Sequence, residues 1–279
     1  MKEHGLLFSA PMAHARHLRK KWQTRRPITA YNSIITGLPK NLKKTFAWEK
    51  LAILGSDAGS VLYMQPPQGT FVHAQYPWPA PAIGIASNLY ITPRIQPGHA
   101  IWWKETHKLM ATDSTRYYFE LIDGRPIEEN DPNEEEFPIW IPIYRATDTD
   151  IDLVLMDGDD EDEEKRVPWR PSLLMKRKWA RFVDLVVSVR PERLLDITDA
   201  DAIAEGISAI TKDGGITIKY GIPDRDGMPG TDDHGWPWHE WCNTPREAYL
   251  KLWEKLNGQG SAAENPWLWV YTMQIPDLQ

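Results

Sequence analysis

The sequence predicts an α+β fold, a small β-barrel with flanking helices and long insertions, built as one domain over residues 1–279. Three observations predict it. Val183, Leu185, Val187 and Val189 alternate with Asp184, Val186, Ser188 and Arg190, the period of two that marks a half-buried strand. Thr244-Pro245-Arg246-Glu247 sets a cap, a proline and a capping glutamate in the register that opens a helix. Two stretches without sustained period, at about 27–90 and 123–165, read as insertions between such elements.

The elements run in this order. Leu6 to Ala10 reads as a short strand, and Pro11 suits the first turn of a helix running from Met12 to Lys21. Trp22 to Arg26 then reads as a strand stopped by Pro27, with Trp22, Thr24 and Arg26 on one face and Gln23 and Arg25 on the other. Within the first insertion a short helical piece is expected near Ala47–Leu54. A strand resumes over His99–Thr106 after the turn Pro97-Gly98. Thr198 with Asp201 three residues on is a variant capping box, opening a helix that runs to Gly206-Ile207. Tyr249, Leu252, Trp253 and Leu256 form the apolar stripe of the helix after Thr244, which Gly258 ends. Asn265-Pro266 then leads into a last strand, Trp267 to Met273.

Composition narrows the function classes. At 42% hydrophobic and 25% charged residues the chain is globular rather than disordered, and no apolar run is long enough to span a bilayer. The short apolar stretch Gly5 to Pro11 lacks the core and cleavage site of a secretory signal, and Cys242 stands alone, so a cytoplasmic protein is expected. The net charge of −7 conceals a division. Residues 1–50 carry 11 Lys/Arg against Glu3 and Glu49, a local +9, whereas residues 120–165 carry 18 Asp/Glu against Arg125, Arg145 and Lys165, a local −15. That balance argues against a broad duplex-binding face but leaves room for a local basic site.

Four constellations carry chemistry. In Lys20-Lys21-Trp22-Gln23-Thr24-Arg25-Arg26, neighbouring cations lower a lysine pKa, so that a neutral amine can serve a threonine three residues away; a basic surface turn is the alternative. Glu205, in the apolar-rich run Ala202 to Ile207, is a candidate general acid or else an exposed helix-end glutamate. His234, His239 and Cys242, beside Asp232 and Asp233, are metal-competent but match no common zinc spacing, so no metal is expected. In Trp102-Trp103-Lys104-Glu105-Thr106, one tryptophan belongs to the core and the other to a pocket; Glu105 pairs with a basic residue of the first motif or receives a substrate amino group. The acidic run Asp157 to Glu164 tempts a calcium-loop reading, yet it lacks the EF-hand spacing and reads as a solvated loop. No nucleophile elbow, phosphate-binding loop or dinucleotide fingerprint is present.

Taken in order, several blocks resemble the phage-type, long-branch ASCH-domain proteins of the PUA-like superfamily. They are Leu7 to Met12, Gln23-Thr24-Arg25-Arg26, Pro97-Gly98, Trp103 to Thr106, Tyr144-Arg145-Ala146 and Trp169 to Met175. Glu192 to Ile207 and Asn265 to Val270 complete the series, which leaves 27–90 and 123–165 unmatched. The resemblance implies a PUA-like barrel with helices at its mouth and an association with RNA or modified nucleosides. A smaller branch of that family hydrolyses N(4)-acetylcytidine to cytidine and acetate with no cofactor. Its catalytic set implies Lys21 as base, Thr24 as nucleophile and Glu205 as proton donor, with Phe8, Ser9, Arg26, Trp103 and Glu105 as substrate-binding residues. Where that family has Gly-Arg-Lys-Thr this chain has Arg19-Lys20-Lys21-Trp22, and Trp22 is placed to close the pocket or stack on a base. The implied activity is an N4-acylcytidine amidohydrolase acting on a nucleoside-sized substrate; the alternative is a non-catalytic module that reads a modified base in RNA or DNA.

Overall fold

The computed structural model describes residues 1–29, 31–36, 90–112, 117–118, 121–122, 125–126, 139–148, 154–155, 165–166, 168–230 and 234–274. In chain order come β1 (Glu3–Leu7), α1 (Ala10–His17), β2 (Gln23–Pro27), β3 (Ser33–Thr36), β4 (Tyr90–Pro93), β5 (Ala100–Lys104) and β6 (His107–Thr112). The short strands β7 (Tyr117–Tyr118), β8 (Leu121–Ile122) and β9 (Arg125–Pro126) precede β10 (Ile139–Tyr144), and β11 (Val154–Leu155) and β12 (Lys165–Arg166) come after it. The C-terminal half holds β13 (Val183–Arg193), α2 (Asp199–Ala204), β14 (Ser208–Thr211), β15 (Ile218–Gly221), α3 (Pro245–Asn257) and β16 (Trp267–Gln274). The expected helix at 47–54 and the acidic run at 157–164 lie outside the described residues.

The architecture is mixed α and β around a five-stranded sheet of order β1-β5-β13-β16-β2, in which only β1 and β5 run parallel. Among the described residues this sheet does not close into the expected barrel, because no backbone ladder joins its edge strands β1 and β2. Side chains meet there instead. Arg26 Nη2 donates to the carbonyl of Leu7 at 2.7 Å, and its guanidinium lies 4.8 Å from the Phe8 ring centroid. Side chains rather than a backbone ladder thus bridge the two edges.

The helix α1 lies across the sheet. Its residue Arg16 donates from Nε to Asp184 Oδ2 at 2.8 Å, and Trp103 Nε1 donates to the same oxygen at 2.8 Å. Phe8 stacks on Trp103 with centroids 3.5 Å apart. Asp184 therefore faces inward although its sequence phase assigns it to the solvent side. The buried positions of β13 are Asp184, Val186, Val189 and Pro191, while Val187 is 46% exposed. A bulge between Val186 and Ser188 shifts the pairing by one residue, so one alternation does not run the length of the strand. A buried carboxylate is tolerated there because a guanidinium and an indole satisfy it.

Helix α1 ends at His17, four residues earlier than the sequence pattern predicts. Arg19 takes φ 58°, a left-handed conformation, and Lys20 N donates back to the Ala15 carbonyl at 2.8 Å. Arginine thus makes the turn at the position where the resembled motif carries glycine. Among the described residues no helix is long and apolar enough to cross a membrane.

Because a Cβ in this conformation is crowded by the next carbonyl, Arg19→Gly is expected to stabilise the fold by about 1 kcal/mol, read as a raised urea midpoint at unchanged slope. A lower midpoint would mean that Arg19 holds the turn through its side chain.

Candidate active site

A cavity of about 250 Å³ opens at the gap between the sheet edges. Residues at the end of β1 and along β2 form one side, and Tyr249, Leu252 and Trp253 of α3 form an apolar wall. The α3 wall is set by the predicted capping box: Thr244 Oγ1 accepts from Glu247 N at 3.2 Å and Glu247 Oε2 from Thr244 N at 3.3 Å. Because β2 is an edge strand, side chains from both its faces reach the same space, and Thr24, Arg25 and Arg26 all line it.

Lys21 and Glu205 meet in this cavity wall, 2% and 3% exposed. Lys21 Nζ donates to Glu205 Oε2 at 2.6 Å and to the Glu205 carbonyl at 2.8 Å. The two residues also form an antiparallel backbone bridge, and Trp22 N donates to the Ala204 carbonyl at 2.9 Å beside it. Helix α2, capped by Thr198 Oγ1 accepting from Asp201 N, ends one residue before Glu205. Gly206 then reverses the chain at φ 105°; a Cβ there would sit 3.0 Å from the Ala15 Cβ and 3.4 Å from the Lys21 Cβ. Glycine alone combines this backbone conformation with this approach.

The electrostatics favour an unusual lysine. Burial pushes the Lys21 ammonium below its ordinary 10.5, and the Arg26 and Arg25 cations push the same way. The Glu205 carboxylate opposes them, but desolvation is the larger effect. The phenol of Tyr249 is driven well above its ordinary 10.0, first by burial and then by Glu205, and so stays a neutral wall.

Arg25 is the residue that sequence reasoning missed. Its phase in the strand places it on the face opposite Thr24, yet Nη1 donates to Glu205 Oε1 at 3.2 Å and Nη2 to Glu192 Oε1 at 2.8 Å. Asp201 lies 3.3 Å from Nη2, and Arg190 closes the network onto Glu192 and Asp201 at 2.9 and 3.2 Å. Glu205 is thereby held between Lys21 and Arg25. The sequence offered only a weak signal, four consecutive polar residues from Gln23 to Arg26, which a solvated edge strand also carries.

The structure brings together Lys21, Thr24, Glu205, Phe8, Ser9 and Arg26 around the cavity. Trp103 and Glu105 are not brought there. Trp103 is fully buried beneath Phe8, and Glu105 pairs with Arg181 at 2.7 and 3.1 Å, away from the first motif. Trp22 is 37% exposed and outside the lining. Among the described residues no group of three or more His, Cys, Asp or Glu is arranged to hold a metal. His234 packs against His14 with rings 5.2 Å apart, and Cys242 pairs with Tyr220 through the backbone. Comparisons with protein-family models, curated proteins and solved structures find no match to this chain.

Removing one member of a buried ion pair strands the other, so Glu205→Ala is expected to cost about 3–5 kcal/mol of unfolding free energy. Lys21→Met with Glu205→Leu is expected to recover most of that loss. Urea denaturation of Lys21→Met, Glu205→Leu and their double variant measures the coupling. Additive losses would show that the pair is not a stabilising unit.

Proposed function

We propose that the cavity is the active site of an amidohydrolase that cleaves the N4-acyl amide of acylated cytidine, releasing cytidine and a carboxylate. The observation that carries the reading is the buried contact of 2.6 Å between Lys21 Nζ and Glu205 Oε2, in the wall of a cavity that Thr24 also lines. A base, an acid and a hydroxyl in one wall form the constellation an amide hydrolase needs. The PUA-like resemblance assigns the same three residues. The cavity, about 250 Å³, has room for one base with a small acyl group.

The couple shares a proton. As an ion pair it is Lys21 ammonium with Glu205 carboxylate; one proton transfer turns it into neutral amine and carboxylic acid. The lowered Lys21 pKa, set first by burial, eases that transfer, and the second form carries base and acid together. The Lys21 amine accepts the Thr24 proton while Oγ1 attacks the acyl carbon. Collapse of the tetrahedral adduct breaks the bond to N4, which takes its proton from Glu205, and cytidine departs. Water, deprotonated by the same couple, attacks the acyl-threonine ester, freeing the carboxylate and regenerating Thr24.

Incubation with N(4)-acetylcytidine, followed by chromatography, is expected to yield cytidine. Lys21→Met, Thr24→Val and Glu205→Gln are each expected to lower kcat by about 10²–10⁴-fold. A folded protein that binds the compound without cleaving it would overturn the hydrolase reading in favour of a module that reads a modified base.

The pH dependence has a definite sign. Only the singly protonated couple holds both base and acid, so kcat/KM should fall when the pair gains a second proton or loses its last. Because the Lys21 pKa is lowered, the alkaline fall should lie below 10.5. Activity that still rises through that region would mean Glu205 supplies no proton.

A further inference from the structure

We infer that the ligand of this cavity carries an anionic oxygen group, a carboxylate or a phosphate, received by Arg26. The inference rests on the reading of the cavity as a cytidine-derivative site and adds a charge to that ligand. It comes from how the charges around the cavity are matched. Lys21, Arg25 and Arg190 are engaged by Glu192, Asp201 and Glu205 in a closed set of three cations and three carboxylates. Arg26 belongs to none of these pairs, and among the described residues no carboxylate stands within ion-pair distance of it.

Arg26 is nonetheless committed to the cavity. Its guanidinium lies over Phe8 and directs one N–H of Nη2 to the Leu7 carbonyl, while its Nε is buried without a partner. From the α3 wall, Trp253 Nε1 is also buried without a partner. A guanidinium donates only, so Arg26, which lines the cavity, calls there for an acceptor. Arg26 is a half-buried cation with no close counter-charge among the described residues, and a planar guanidinium fits a two-oxygen anion better than a neutral carbonyl. On an N4-acylated cytidine such an anion has two sources: a phosphate on the ribose, or a carboxylate at the far end of the acyl chain.

Calorimetric titration of the wild-type protein with two matched pairs separates these sources without relying on turnover, since none of the four compounds contains an N4-acyl amide. One pair is cytidine and cytidine 5′-monophosphate; the other is N4-butylcytidine and N4-(3-carboxypropyl)cytidine. In one pair the anionic member is expected to bind at least about tenfold more tightly than its neutral partner, and that pair names the source. The gap should shrink below about threefold in Arg26→Gln and persist in part in Arg26→Lys. Arg26 also links the sheet edges, but a purely structural loss would weaken both members of a pair alike and leave their ratio unchanged. Equal affinities within both pairs, or a gap that survives Arg26→Gln, would overturn the inference and leave the hydrolase reading standing. Binding of none of the four would overturn both. An Arg26-dependent gap in a protein that does not hydrolyse N(4)-acetylcytidine would sustain the inference and remove the hydrolase.

Discussion

The buried contact between Lys21 and Glu205 is the interaction on which the rest of the site depends. Two opposite charges removed from water stabilise a fold only when each is closely paired and its remaining hydrogen-bonding groups are satisfied. The chain meets that condition by several means at once. The backbones of the two residues bridge, Gly206 allows close approach, and Arg25 holds the second oxygen of Glu205 at 3.2 Å. Arg25 is held in turn by Glu192 and Asp201, which ties the pair to the end of β13 and the first turn of α2. A change at any of these points moves the buried pair.

The second constraint is the open edge of the sheet. A barrel closed by a backbone ladder between β1 and β2 would fill the space that the cavity occupies. Here a side-chain link, Arg26 to the Leu7 carbonyl, takes the place of that ladder, and α3 covers the opening with Tyr249, Leu252 and Trp253. The same geometry that leaves the sheet unclosed brings residues from both of its edges to one cavity. Arg26 therefore serves fold and site together, as the strand residue that spans the gap and as a cation facing the cavity without a carboxylate of its own.

Much of this was legible where local chemistry decides the outcome. Both helix caps, at Thr198 and Thr244, stand where the sequence sets them, because capping is settled within four residues. The last strand likewise begins after Asn265-Pro266. What depends on distant partners was hidden. The bulge in β13 turned Asp184 inward toward Arg16 and Trp103, and no alternation of residues reveals a bulge. Glu105 had two plausible partners and took a third, Arg181, from a segment beyond the second insertion. The convergence of Lys21, Thr24 and Glu205 was legible through a resemblance, whereas the clamp by Arg25 was not, since it needs an edge strand whose two faces share one cavity. The extended helix expected through Lys21 failed at Arg19, a residue rarely found in the left-handed conformation it adopts.

The proposed chemistry requires Lys21 and Glu205 to act as one buried couple in which the lysine gives up its charge more readily than in water. Nitrogen-15 NMR of the Lys21 side chain, followed across a pH titration of the folded protein, tests it most directly. Nζ is expected to deprotonate below the ordinary lysine value of 10.5, with a transition that moves when Glu205 is replaced by Gln. A Lys21 that titrates at or above 10.5, indifferent to Glu205, would contradict it.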